Sequence, residues 1–156
     1  MSDITILIST SLIPTCPSTR IIDETVEAIR AQLPDSPILL GCDGLTEPNA
    51  SYTRYCSELM TRYENTRTYV FDRPVHQTGM MERWLPDVAT PLVYFLEHDW
   101  VTLPNIPWME LSALILSGQY NYIKLHATPR INPYHEHMMR ERVMHQGGVV
   151  TDRYLD

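Results

Sequence analysis

The sequence predicts an α/β fold, a mostly parallel sheet flanked by helices. Two observations carry this. Short apolar or β-branched runs alternate with stretches whose apolar residues recur at helical spacing. The first run, Ile4-Thr5-Ile6-Leu7-Ile8, is almost continuously apolar, as a strand covered on both faces must be. We expect one domain over residues 1–156, with no repeat or linker to divide it.

The elements follow in order. A first strand is expected over Ile4–Ser9. Ile22, Val26, Ile29 and Leu33 then mark a helix that Pro34 closes by withholding a donor. A second strand follows over Ile38–Cys42, and Tyr52, Tyr55, Cys56, Leu59 and Tyr63 form the next helical stripe. Further strands are expected over Thr68–Phe71, Leu92–Leu96 and Tyr122–Leu125, each bounded by Pro, Asn, Asp or Gly. Between the last two, Trp108, Leu111, Leu114 and Ile115 define a helix ending near Gly118. Met138, Met139 and Met144, interleaved with Arg140 and Arg142, read as an amphipathic helix.

Composition narrows the function. With 12 Lys+Arg against 19 Asp+Glu, the net charge of −7 excludes a surface built to gather nucleic acid by bulk electrostatics. No apolar run approaches the roughly 20 residues of a membrane span. The acidic start Met1-Ser2-Asp3 is unlike a signal peptide, so a soluble cytoplasmic protein is expected. Cys16, Cys42 and Cys56, without CxxC spacing, read as small buried hydrophobes. The phosphate loop GxxxxGK[ST], the GxGxxG fingerprint, the GxSxG elbow and the HExxH helix are all missing.

In open parallel sheets ligands bind beyond the carboxyl ends of the strands. There the sequence places Ser9-Thr10-Ser11, Asp43-Gly44, Asp72-Arg73 and Glu97-His98-Asp99. If the fourth strand stays extended to its end, Glu97 and Asp99 share one side and His98 faces away. Two neighbouring carboxylates repel unless one is protonated or a divalent cation such as Mg²⁺ or Mn²⁺ lies between them. The alternative is an exposed loop start with Asp99 capping the segment after it.

The order of these runs over roughly residues 3 to 105 resembles the nucleotide-sugar-binding portion of a family 2-type glycosyltransferase with the GT-A fold. The opening strand Ile4–Thr10, the segment Pro37–Glu47 with its Asp43-Gly44 turn, and Val93–Trp100 with its Asp-x-Asp-like triplet carry the likeness. The resemblance implies a GT-A-like Rossmann-type domain that moves a sugar from a nucleotide-diphosphate donor, in such enzymes commonly a UDP-sugar, to an acceptor hydroxyl with inversion. It implies that Asp43 binds the nucleobase and that Glu97 with Asp99 hold Mn or Mg and the diphosphate. Ser9, Thr10, Ser11, Gly44 and His98 fall on the same rim. Gln77-Thr78-Gly79 followed by Arg83 is the nearest match to a pocket-lining turn and arginine. Arg73 would face phosphate or ribose. Arg83 as a solvated helix residue and Arg73 as a surface guanidinium are the plain alternatives.

The triplet departs from the family by opening with Glu, one methylene longer than Asp. The chain is also short beyond the triplet, where the family keeps its acceptor-side base. Glu136 is the candidate base, with a surface carboxylate as its alternative. His126 is the candidate third metal ligand, its alternative being a histidine hydrogen-bonded at a strand end, and His145 is a more distant choice. A homo-oligomer or a second chain would complete the acceptor site. Two other functions stay open: a nucleotide-sugar-binding module without turnover, and a metal phosphohydrolase built on His98-Asp99 with His76, His126 or His145.

Overall fold

The computed structural model describes residues 3–47, 49–125, 139–144 and 150–154. The chain forms two compact units, Met1–Thr102 and Leu103–Asp156. The first contains β1 (Ile4–Thr10), α1 (Arg20–Arg30), β2 (Ile38–Cys42), α2 (Ala50–Arg62), β3 (Thr66–Val70), α3 (His76–Trp84), a short 3-10 turn (Leu85–Asp87) and β4 (Leu92–Glu97). All four strands are parallel, in the order β3-β2-β1-β4. The α/β class is therefore as the apolar runs predicted, and the layered sheet is confined to this unit.

β1 is buried at every position because strands flank it on both sides and helices cover both faces. On one face Leu7, Leu39 and Tyr69 pack with Met80 and Trp84 of α3, and Phe95 of β4 lies against them. Gly41 belongs to this face and has no alternative. A Cβ there would stand 2.3 Å from Cζ2 of the fully buried Trp84. On the other face, the buried stripes of α1 (Ile22, Val26, Ile29) and α2 (Tyr52, Tyr55, Cys56, Leu59) cover the sheet. Thr10 bonds Tyr55 at 2.6 Å and Cys42 meets Cys56 there.

Local chemistry sets the helix ends. α1 stops at Arg30, short of Leu33, whose N–H still reaches the Ile29 carbonyl at 2.8 Å before Pro34. Asn49 caps α2 by accepting the Tyr52 N–H at 3.0 Å. Asp23 of α1 ties to α2, accepting from Arg62 at 2.7 Å and from the Tyr63 hydroxyl at 2.7 Å.

α3 corrects the reading of Gln77-Thr78-Gly79 as a turn. These residues are helical, and Gly79 donates to the Val75 carbonyl at 3.2 Å. The signal was present as Met80 and Trp84, four apart and both buried.

In the second unit α4 (Trp108–Leu116) forms as expected, and Gly118 follows it with a left-handed φ of 75°. The expected strand over Tyr122–Leu125 does not form: these residues are irregular, and no strand pairs with them among the described residues. A short β-prone run without a hydrogen-bonding neighbour has nothing to hold it extended. The expected amphipathic helix around Met139 is instead a strand, β5 (Met139–Met144), antiparallel to β6 (Val150–Tyr154). Pairing with Val150–Tyr154 holds Met139–Met144 extended and outweighs the methionine spacing. Among the described residues, no helix is long and apolar enough to cross a membrane.

Candidate functional site

The strand order reverses direction at β1, which is followed in space by β4 on one side and β2 on the other. At such a switch point the connections leave in opposite directions and open a crevice at the carboxyl ends. The register puts Ser9 level with both Gly41 and Glu97, so the three strand ends are flush. A cavity of about 440 Å³ lies there, lined by Ser9-Thr10-Ser11, Asp43, His76-Gln77-Thr78, Met80 and Glu97-His98.

β1 organises both neighbours through its last carbonyls. The Ser9 carbonyl accepts the His98 N–H at 2.9 Å, and the Thr10 carbonyl accepts the Asp43 N–H at 2.8 Å. The Thr10 hydroxyl is committed to Tyr55, whose phenol is pushed up by burial and so stays neutral.

Asp43 is held by three backbone donors. Its Oδ1 accepts the N–H of Gly44 at 3.1 Å, of Val75 at 2.8 Å and of His76 at 3.3 Å. Two of these are donors at the start of α3, where the cap residue Val75 brings no side-chain acceptor of its own. Oδ2 is left over, 3.8 Å from Nδ1 of the exposed His76, which itself takes a left-handed φ of 55°. The carboxylate thus offers one fixed oxygen to the cavity. Gly44 is required beside it, because a Cβ would fall 2.4 Å from the Arg73 backbone.

Glu97 ends β4, and its Oε1 accepts from the Gln77 side chain at 2.8 Å. His98 is fixed through its backbone, its carbonyl accepting the Thr25 hydroxyl at 2.6 Å. Its Nε2 is buried with no partner among the described residues. The extended geometry does not last to Asp99. The chain turns, with the Trp100 N–H bonded to the Glu97 carbonyl at 3.1 Å, and Asp99 is exposed. Glu97 and His98 therefore share the lining and Asp99 is outside it, which corrects the alternation expected for the triplet.

The two arginines also lie outside the lining. Arg83 stacks over the Tyr69 ring at 4.8 Å and pairs with Asp87 at 3.2 Å. Arg73 is exposed, and Gly79 sits in α3 against Val75. Glu136, His126 and His145 lie outside the described residues. Gln77 and Thr78 line the cavity as the pocket-lining match implied, though from a helix rather than a turn; Met80 was not foreseen there, and His76 was weighed only as a metal ligand. All four come from the unpredicted helix α3.

Among the described residues the lining has two carboxylates, two imidazoles and neither Lys nor Arg. Among the described residues, no three His, Cys, Asp or Glu side chains gather as a metal cage. With one oxygen engaged by Gln77, Glu97 keeps the other. In comparisons with known proteins, no family model matches the chain and no curated sequence matches it significantly.

Proposed function

We propose that the chain is a metal-dependent glycosyltransferase domain whose switch-point cavity binds a nucleotide-diphosphate sugar, a UDP-sugar in the first instance. The observation that carries this reading is the convergence of Asp43, the β1 end and Glu97-His98 on one crevice. These three strand ends bear the resemblance in the sequence.

The fixed Oδ2 of Asp43 is an acceptor with no donor in hydrogen-bond range among the described residues, suited to an N–H on a nucleobase edge. The diphosphate would lie toward Glu97 and His98. Among the described residues no lysine or arginine lines the cavity to neutralise it. Glu97, steadied by Gln77, would hold the divalent ion. When bound, that ion stabilises the charge that grows on the departing phosphate more in the transition state than in the ground state. Inversion also requires a base opposite the leaving group, the role proposed for Glu136. His126 is proposed as a further ligand and a second chain as the supplier of acceptor contacts.

Incubating the full chain with UDP-sugars, Mn²⁺ and a panel of hydroxyl acceptors tests the reading. Transfer or donor hydrolysis that Glu97→Gln removes supports the enzyme. Tight donor binding without turnover would leave the binding module, and no binding of any nucleotide would overturn both.

A further inference from the structure

A second chemical feature lies on the face of the sheet that α1 and α2 cover, at the end of β2 just before Asp43. Cys42 is the last residue of β2 and fully buried, and Cys56 on α2 is 6% exposed. Their sulfurs stand 3.5 Å apart, while Cys16 is half-buried and separate. From this juxtaposition we propose that Cys42 and Cys56 form an oxidisable dithiol, a modification site at which peroxide closes an intramolecular disulfide.

The geometry requires little movement. A disulfide is about 2.0 Å long, so closing it brings the sulfurs together by roughly 1.5 Å. β2 is fixed at this point, since the Asp43 N–H bonds Thr10 and the Phe71 N–H bonds the Cys42 carbonyl at 3.1 Å. The adjustment therefore falls on the α2 side. The two thiols also differ in character. The Cys42 thiol bonding to it lowers Cys56; burial opposes this and the Tyr52 hydroxyl adds to it, leaving Cys56 at about 7. The same contact and burial push Cys42 up.

Exposure assigns the order of steps, because Cys42 is fully buried while Cys56 keeps 6% of its surface open. The Cys56 thiolate attacks one oxygen of hydrogen peroxide, breaking the O–O bond to give Cys56 sulfenic acid and hydroxide. Cys42 then attacks the Cys56 sulfur, its proton leaves with the sulfenic hydroxyl as water, and the S–S bond forms. The two thiols lose two electrons and two protons, and peroxide becomes two waters. The proposal is independent of what the cavity binds.

The test treats the folded full chain with a slight excess of hydrogen peroxide, quenches with catalase, unfolds it and alkylates with N-ethylmaleimide. We expect one maleimide per chain instead of three. Trypsin digestion should give residues 31–54 and 55–62 as one cross-linked species, 2 Da lighter than the sum and separated by dithiothreitol. Cys42→Ser should lose the cross-link and accumulate sulfenic acid at Cys56. Three maleimides after treatment, a cross-link through Cys16, or Cys56 passing to sulfinic acid unlinked in the wild type would each overturn the proposal.

Discussion

Asp43 has two separable jobs, and a pair of substitutions divides them. Asp43→Ala removes the acceptor of three backbone N–H groups, of which the Val75 bond at 2.8 Å is the shortest and lies on a half-buried residue. The His76 donor, at 3.3 Å on an exposed residue, is readily hydrated, and the Gly44 contact is local. A hydrogen bond to a charged acceptor contributes about 1.5–3 kcal/mol, and loss of a helix N-cap costs about 0.5–2 kcal/mol. We therefore expect Asp43→Ala to lower stability by about 2 kcal/mol. Asp43→Asn keeps the Oδ1 acceptor and forfeits only its charge, so under about 1 kcal/mol is expected. Both should abolish nucleotide binding, since neither leaves a carboxylate oxygen in the place of Oδ2. Urea denaturation and calorimetric titration read the two effects. If Asp43→Ala is as stable as the wild type, the clamp on α3 is wrong. If Asp43→Asn binds UDP normally, Oδ2 is not the recognition atom.

Other consequences arise from the packing and the charges. Gly41→Ala forces a methyl to within 2.3 Å of Trp84, and we expect a loss of about 3 kcal/mol by denaturant titration, at the upper end of overpacking costs. Burial raises the Asp23 carboxyl, but Arg62, Tyr63 and Thr19 outweigh it and hold the group below the ordinary 3.8. A depressed carboxylate stabilises the fold above its unfolded value, and that contribution is lost as pH falls through the lower folded value. Melting temperature should therefore drop below about pH 4 in the wild type, and less steeply in Asp23→Asn. Peroxide closure of Cys42 to Cys56 should quicken as pH rises through about 7, where Cys56 becomes thiolate. Stopped-flow consumption of peroxide would track it.

The centre of the sheet was legible because β1 and β2 are buried at every position, and both match the expected runs within one residue, whereas β3, buried only at Tyr69, begins two residues before the expected run. α3 was obscured by its composition. Exposed His76, Gln77, Thr78, Glu82 and Arg83 surround just two buried residues, so its periodicity is faint, and Gly79 suggested a turn. The tail misled for a different reason. Met139 to Met144 satisfies both helical and alternating patterns, and only pairing with Val150–Tyr154 decides between them. At the site, Asp43 and Glu97 were readable as polar residues directly after buried strands. The displacement of Asp99 was not, because it depends on a backbone turn that local composition leaves open. Gln77 reached the site through a helix placed by tertiary packing on Trp84 and Met80.

In the proposed reading, a nucleoside diphosphate and a divalent ion share the cavity between Asp43 and Glu97. Calorimetric titration of UDP into the full chain, with Mn²⁺ and again with chelator, tests it most directly. Saturable binding of one UDP per chain is expected, weakening at least tenfold with chelator and equally in Glu97→Gln. Binding at the same affinity in all three conditions, or no heat with Mn²⁺ present, would contradict it.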